Sequence, residues 1–382
     1  MKILLHDNEL HLRFAPLTLT RPVGNLRMGI WTNDERWQFL LPEAEIVFGT
    51  EAYLQQKFPS AEKADIIINA AVIPTKKLAE AVVNLPEGTT LTAHGTWLAR
   101  KGAGAGNTQE FDAAELVFLA NRWDLYQQNG KVLKADFEML TAGRASAVLS
   151  DSNTVIGDQN LIFLEAGASV EACILNTKEG PIYIGKNAEI MEGSMVRGPF
   201  ALCEDAVVKM GTKIYGSTTV GPQCRVGGEI SNVIFQAFSN KGHDGFIGNS
   251  LIGEWCNLGA DSNSSNLKNN YGNVKAYSYE TQQMESTGVQ FMGVAMGDHS
   301  KCGINTMFNT ATTIGVSANI YGGNFPDKYI PSFTWGGAEG TVPFELPKAV
   351  AVAQAMMGRR NVAFTEGDAL IFQFLSGQDN LN

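Results

Sequence analysis

The sequence has no apolar run approaching the ~18 residues that a membrane span requires. Its first ten residues, MKILLHDNEL, carry one lysine and an apolar run too short for the core of a secretory leader. Together these absences predict a cytoplasmic protein with no membrane partner. Clusters of basic residues are missing too: 29 Lys and Arg against 39 Asp and Glu leave a net charge of -10. A nucleic-acid surface needs clustered Lys and Arg against the phosphates, so nucleic acid is not expected as a partner. Cysteine is scarce. The five (Cys173, Cys203, Cys224, Cys256, Cys302) are odd in number, all lie after residue 170 and form no C-x-x-C. That excludes a disulfide framework and a zinc knuckle, and leaves them as small buried apolar side chains. Disorder is excluded as well, because 44% of residues are hydrophobic and only 18% charged. A length of 382 residues accommodates two domains.

What is present is a repeat. Ile184, Ile190, Val196, Leu202, Val208, Ile214, Val220 and Val226 are eight aliphatic residues at an unbroken spacing of six. If about one residue in four is Ile, Leu or Val, such a run arises at about 1 in 10^5 per starting point, so chance is a poor explanation. Weaker runs in the same period flank it: Ile156, Ile162, Ala168 and Ile174 before; Phe246, Ile252 and Leu258, then Met296, Cys302, Phe308, Ile314 and Ile320 after. Six fits neither a helix nor a hairpin. It suits a coil of three flat faces, in which each step supplies a short strand and a corner, and about 18 residues close one turn. The aliphatic residue points inward, and the glycine that often follows it permits a tight corner. Hairpins would give a period of two with N-G or D-G turns, which residues 184 to 226 do not show.

Before residue 145 the texture differs. KILLHD, EIVFG (45 to 49) and DIIIN (65 to 69) read as buried strands, and TEAYLQQKF and PTKKLAEAVVNL as the helices between them, an alternation that predicts an α/β domain with a parallel sheet. TAGRASAVLSDSN (141 to 153) reads as the joint. LPKAVAVAQAMMGRRN begins with a proline suited to a helix start and carries Val350, Ala353 and Met357 at helical spacing, so a capping helix is expected there, with Arg359 and Arg360 complementing its dipole. The predicted division is therefore 1–145, an α/β domain; 146–340, a solenoid; and 341–382, a C-terminal helix and tail.

The six-residue register fails across GGEISNVIFQAFSNKGHDG, which predicts a loop or an irregular strand protruding from one corner, and such departures are where sites are built. His243 ends that stretch between Gly242 and Gly245, where a neutral imidazole is suited to take a proton near pH 7. Lys241 just before it has the charge to meet a phosphate. A structural histidine is the competing reading. Asn263, Asn266, Asn269 and Asn270 follow; their amides fit sugar hydroxyls, or equally turns that tolerate left-handed backbone. In GINTMFNTATTIG the favoured reading is an Asn/Thr ladder in solenoid turns, with Asn305 and Asn309 as secondary site residues.

These runs carry a resemblance. The solenoid resembles the left-handed parallel β-helix of the hexapeptide-repeat transferases. GHDGFIGNSLIGEWCNLGA resembles the acetyltransferase half of the bifunctional N-acetylglucosamine-1-phosphate uridyltransferase/glucosamine-1-phosphate acetyltransferase family. The resemblance implies that His243 is the general base, that Asn257 matches the Asn of an Asn-Ile-Gly-Ala motif, and that Gly259 and Ala260 are the small residues past which acetyl-CoA runs, with Asn305 on the pantetheine path. Phe246 stands where the family has Tyr, which removes a hydroxyl at the acceptor. PLTLTRPVGNLRMG (16 to 29) resembles the end of the signature loop of the sugar nucleotidyltransferases, whose glycines let backbone N–H groups approach phosphates. Here no glycine lies between Met1 and Val23. The resemblance implies phosphate contacts for Arg13, Arg21 and Arg27, a Mg2+ ligand in Asp7, a sugar phosphate or nucleotide sugar as ligand, and a homotrimer. Two other classes are weighed against it. A zinc hydratase on the same solenoid needs three converging histidines, and this solenoid offers only His243 and His299. A non-catalytic binder of nucleotide sugars is the alternative that the missing glycine loop favours.

Overall fold

All eight aliphatic residues of the unbroken run turn inward, none more than 3% exposed. In a computed structural model, which describes residues 1–102, 106–112, 114 and 116–378, they belong to one apolar column inside a parallel β-helix. Ile182 pairs with Phe200 and Phe200 with Thr218, so consecutive coils lie three repeat steps apart. Ile190, Val208 and Val226 stack in a second column on the same advance. The glycines after the aliphatic residues serve close stacking more than corner geometry. A Cβ on Gly185 would lie 2.7 Å from the carbonyl carbon of Cys203 in the next coil. The left-handed corner positions fall instead to Asn187, Asp205, Gln223, Phe238, Trp255 and His299, with φ between 54° and 61°.

Where the weaker runs were expected to continue, the register slips. Ile156 and Ile174 are exposed, and Val155 and Leu175 take the inward places. The reason is that the first coils are longer than the regular ones, advancing from Thr154 to Ile174 to Met195. Of the two forms expected at the break, the structure has the irregular strand, but it stays paired to its neighbours instead of protruding. Residues Glu229–Phe235 form a single seven-residue strand that pairs with two faces of the coil below, as does Phe246–Ile252 with the coil above it. Each strand turns its corner at an asparagine, Asn232 (φ 56°) or Asn249 (φ 49°), whose short amide tolerates that region. The coil is shortened: Arg225 pairs with Asn240, short of the position that the regular advance would reach. Phe246 therefore faces outward and Ile247 is the buried residue. The true excursion lies later. Asn257 pairs with Lys301, and the extra chain between them holds an antiparallel hairpin, Lys275–Ser278 with Gln283–Ser286.

The N-terminal sheet contains the three expected strands, Lys2–His6, Glu45–Gly49 and Ile66–Asn69, mutually parallel. It is mixed rather than parallel throughout, because Thr96–Lys101 runs antiparallel to Ile66–Asn69 and to Thr89–Ala93. Helix α1 (Asn33–Leu40) starts at a capping box formed by Thr32 and Glu35. Helix α2 (Lys76–Val83) lies within PTKKLAEAVVNL. TEAYLQQKF contributes only the short turn Ala52–Leu54, since Tyr53 is held by the Leu19 carbonyl and stacks on Phe374. Helix α3 (Arg122–Thr141) lies along one face of the β-helix; its Leu133 and Phe137 pack with Phe163, Tyr183 and Ala201. Ile234 and Leu251 of the β-helix enter the core of the N-terminal region. Helix α4 (Leu346–Gly358) begins with the expected proline, and with α5 (Glu366–Gln378) covers the upper coils through Ala349, Ala353, Ile371 and Phe372 against Val316 and Phe333.

Candidate functional site

The turn 242–245 leaves one coil edge exposed, and His243 stands on it with its imidazole in solvent. No hydrogen bond or ion pair reaches that ring from the described residues. The turn beneath it is fixed. Lys241 is fully buried, and its ammonium donates to the carbonyls of both His243 and Asp244, the latter at 2.7 Å. Burial pushes that ammonium down to about 8. Lys241 is therefore a strut under the turn, not a phosphate contact. Gly245 has φ 113°, and a Cβ there would overlap the Ser262 carbonyl oxygen, so only glycine fits.

Two coils continue the same edge. Asp261 N–H donates to the Asp244 carbonyl at 3.0 Å and Asn305 N–H to the Ala260 carbonyl at 2.8 Å. His243, Gly259, Ala260 and Asn305 are thus brought into one line. Gly259 has a structural reason for its identity, because a Cβ would collide with Gly303 of the coil above. Asn257 is exposed on the outer face just before this edge.

The other asparagines do not converge on His243. Asn263 accepts from Phe246 N–H at 2.8 Å and donates to the Asp261 carbonyl at 2.8 Å, so its amide caps the corner. Asn266 donates to Asn249 at 2.7 Å on the opposite corner of that face. Asn269 and Asn270 begin the inserted hairpin, where Asn270 accepts from Gly272 N–H at 3.0 Å. None of these four takes left-handed backbone, whereas Asn305 does, with φ 57°. The Phe246 ring lies across Gly248 beside Asn266.

The N-terminal candidates are consumed by the fold. Asp7 is buried and accepts from Val23 N–H at 2.9 Å and the Thr50 hydroxyl at 2.6 Å, with His11 Nδ1 at 3.2 Å. Those contacts occupy both oxygens, so Asp7 does not fit a Mg2+ ligand, and the described residues contain no cluster of His, Cys, Asp and Glu able to hold a metal. Arg21 ties the N-terminal region to the β-helix: it donates to Glu254 at 2.6 Å and to Asp298 at 2.5 Å, which also accepts from Thr20 at 2.7 Å. Burial opposes the charge on Arg21, yet the two carboxylates outweigh it and hold the guanidinium charged. Arg27 spends its guanidinium on the carbonyls of Gln236 and Ile30 and on Glu35. Only Arg13 is exposed, and it pairs with Glu280 of the hairpin at 3.1 Å. The loop that would cradle a nucleotide is instead three short 3-10 turns. Glu254 and Asp298 are not legible in the sequence as partners of Arg21, because nothing local marks groups that lie 233 and 277 positions away.

Residues 3–145 match the family described as sugar nucleotidyl transferase. Over 138 residues the chain is 29% identical to the bifunctional protein GlmU of Methanocaldococcus jannaschii, covering 36% of this chain and 31% of that one. Over 156 residues it is 24% identical to the GlmU of Trichodesmium erythraeum, covering 39% and 27%. The chain thus spans less than a third of the length of these relatives. Among solved structures, a point mutant of AntD, an N-acyltransferase from Bacillus cereus, is 13% identical with a TM-score of 0.24, over 54% of this chain and 90% of that one. The Arabidopsis UDP-N-acetylglucosamine acyltransferase is 11% identical with a TM-score of 0.23, over 62% and 96%. Likenesses that low carry nothing toward the site. No helix among the described residues is long and apolar enough to cross a membrane.

Proposed function

We propose that this chain, a relative of the GlmU-type sugar nucleotidyl transferases through its residues 3–145, is a transferase of nucleotide-sugar metabolism whose reaction is acyl transfer at the His243 edge. The observation that carries this reading is the contrast within the molecule: His243 is left unpaired among the described residues on a turn held from beneath by Lys241, on the same coil edge as half-buried Gly259 and Ala260 and exposed Asn305. In the proposed step, the amine of an amino sugar phosphate or nucleotide sugar attacks the thioester carbonyl of acetyl-CoA. A C–N bond forms, the C–S bond breaks, His243 accepts the amine proton, and the thiolate leaves to be protonated. Acetyl-CoA is a co-substrate in this reading, and its track is the line past Gly259 and Ala260.

His243 has no carboxylate or carbonyl among the described residues to orient its second nitrogen, which supports a site completed by another copy of the chain. The β-helix face carrying Ile174, Met195 and Tyr215 leaves these large apolar side chains about two-fifths exposed, and a homotrimer through such a face fits the reading. Nucleotidyl transfer by the N-terminal domain is the weaker half, because Asp7, Arg21 and Arg27 are already bound to the protein. That same observation favours one alternative, a non-catalytic binder of nucleotide sugars. Thiol release from acetyl-CoA over a panel of hexosamine phosphates and UDP- or dTDP-amino sugars decides between them. Release that needs one acceptor and falls about 10^2- to 10^4-fold in His243→Ala establishes the acyltransferase. Tight sugar-nucleotide binding with no release from any acceptor establishes the binder.

A further inference from the structure

A second constellation lies on the same coils, beyond Asn240. Arg225, Arg359 and Arg360 line a cleft of about 470 Å3 between the β-helix and the end of α4, a volume in the range of small-molecule sites. In a chain of net charge -10, none of the three has an acidic partner within salt-bridge distance among the described residues. Arg225 stands on the outer face of its strand in register with Asn240. Arg359 is the residue that ends α4, and Arg360 follows it.

Arg360 is aimed by a hydrogen-bonded chain. Its Nη1 donates to Gln223 Oε1 at 3.3 Å, and Gln223 Nε2 donates to Asp205 at 3.2 Å. The wall of the cleft is aromatic: Phe238 stacks on Trp255 with ring centroids 4.1 Å apart and planes 6° apart. A fork of guanidinium groups matches phosphate oxygens, and a flat apolar wall matches a nucleobase.

We propose that this cleft binds a nucleoside phosphate, its phosphates held by Arg225, Arg359 and Arg360 and its base lying against the Phe238 wall. The chemistry is shared by two sources, the nucleotide of a nucleotide sugar and the nucleotide end of coenzyme A. Binding is measured without turnover, so the proposal stands or falls separately from the role of His243.

The test is titration calorimetry on the full chain with three probes, UDP, coenzyme A and inorganic pyrophosphate, for wild type, Arg225→Gln, Arg359→Gln and the double variant. One nucleotide is expected to bind, more weakly as salt rises, with about a tenfold loss for each single substitution and about a hundredfold for both, the scale of lost charge-assisted hydrogen bonds. Arg144→Gln, at an exposed arginine paired with Glu165, should leave binding unchanged. Preference for UDP assigns the cleft to a nucleotide sugar, and preference for coenzyme A assigns it to the acyl donor. Pyrophosphate binding as tightly as both would overturn the nucleoside part of the proposal. Absence of binding at millimolar probe, or binding that survives the double substitution in a protein with wild-type near-ultraviolet dichroism, overturns it entirely. If the double variant does not fold, the exposed Arg359→Gln decides alone.

Discussion

The covered and the open sides of the β-helix treat the same residue types in opposite ways. Beneath the N-terminal region and α5, Arg21, Arg27 and His299 are buried; the two arginines are spent on protein partners, and His299 stacks on Trp255 and meets Phe372 edge-on, its Nδ1 without a hydrogen bond among the described residues. On the open edges, His243, Arg225 and Arg359 have no such partners among the described residues. The lesson is that charge and imidazole in a sequence become candidates for chemistry only where packing leaves them both unpaired and open to solvent, because a buried charge needs a partner to be tolerated, and a buried imidazole such as His299 stays neutral.

The sharpest break of this contrast is His243→Ala, for which thiol release should fall by about 10^2 to 10^4 while thermal stability stays within about 0.5 kcal/mol of wild type, the usual range for an exposed residue. Equal loss of folding and rate would move His243 to the covered class. Next comes Arg21→Leu. Removing one member of a buried ion-pair group strands Asp298 and Glu254, and urea unfolding should show a loss of about 3–5 kcal/mol. Pairing it with Asp298→Asn should recover part of that loss.

His299 gives a pH test. Burial pushes its pKa from 6.5 to about 3, so the unfolded chain takes up a proton that the native state refuses. Its contribution is full above pH 6.5, and unfolding free energy should fall by about 1.4 kcal/mol per pH unit from there down toward 3. In His299→Phe, which preserves the stacking shape, that component of the acid slope should vanish; an unchanged slope would show that other groups control it. The smallest effects compare two glycines. Gly259→Ala should cost about 1–3 kcal/mol through its collision with Gly303. Gly242→Ala, with open space around its Cβ and no left-handed requirement, should change stability by less than about 0.5 kcal/mol. Urea unfolding of the two variants side by side checks the difference.

Much of the fold was legible because its signal is local and repeated. Ile184 to Val226 predicted both the coil and its three-step advance, since every sixth side chain must leave water. The strands KILLH, EIVFG and IIIN and the helix after Leu346 were legible from apolar runs and a proline. Helix α3 was not, because half of its buried residues are Arg, Asn, Asp and Tyr, which no apolar stripe reveals. The gap after Val226 was visible and an irregular strand was one of its two expected forms, but the expected protrusion is absent: a missing period reads the same whether chain protrudes or a corner is shortened. Of the candidate site, His243, Gly259, Ala260 and Asn305 were singled out by the register break and the family resemblance; their alignment was not legible, because a shortened coil precedes His243 and the inserted hairpin lies between Ala260 and Asn305. Arg225 carried no signal, since an outward residue of a strand is free to vary.

The sequence alone thus determined a parallel β-helix and the inward residues of its regular coils, from Ile184 to Val226, because burial at a fixed period is a property of neighbours along the chain. Only the tertiary structure decided which corners remain open. That depends on where the N-terminal domain, α3 and the C-terminal helices lie against the coils, and such contacts join positions far apart in the chain, as Arg21 joins Asp298.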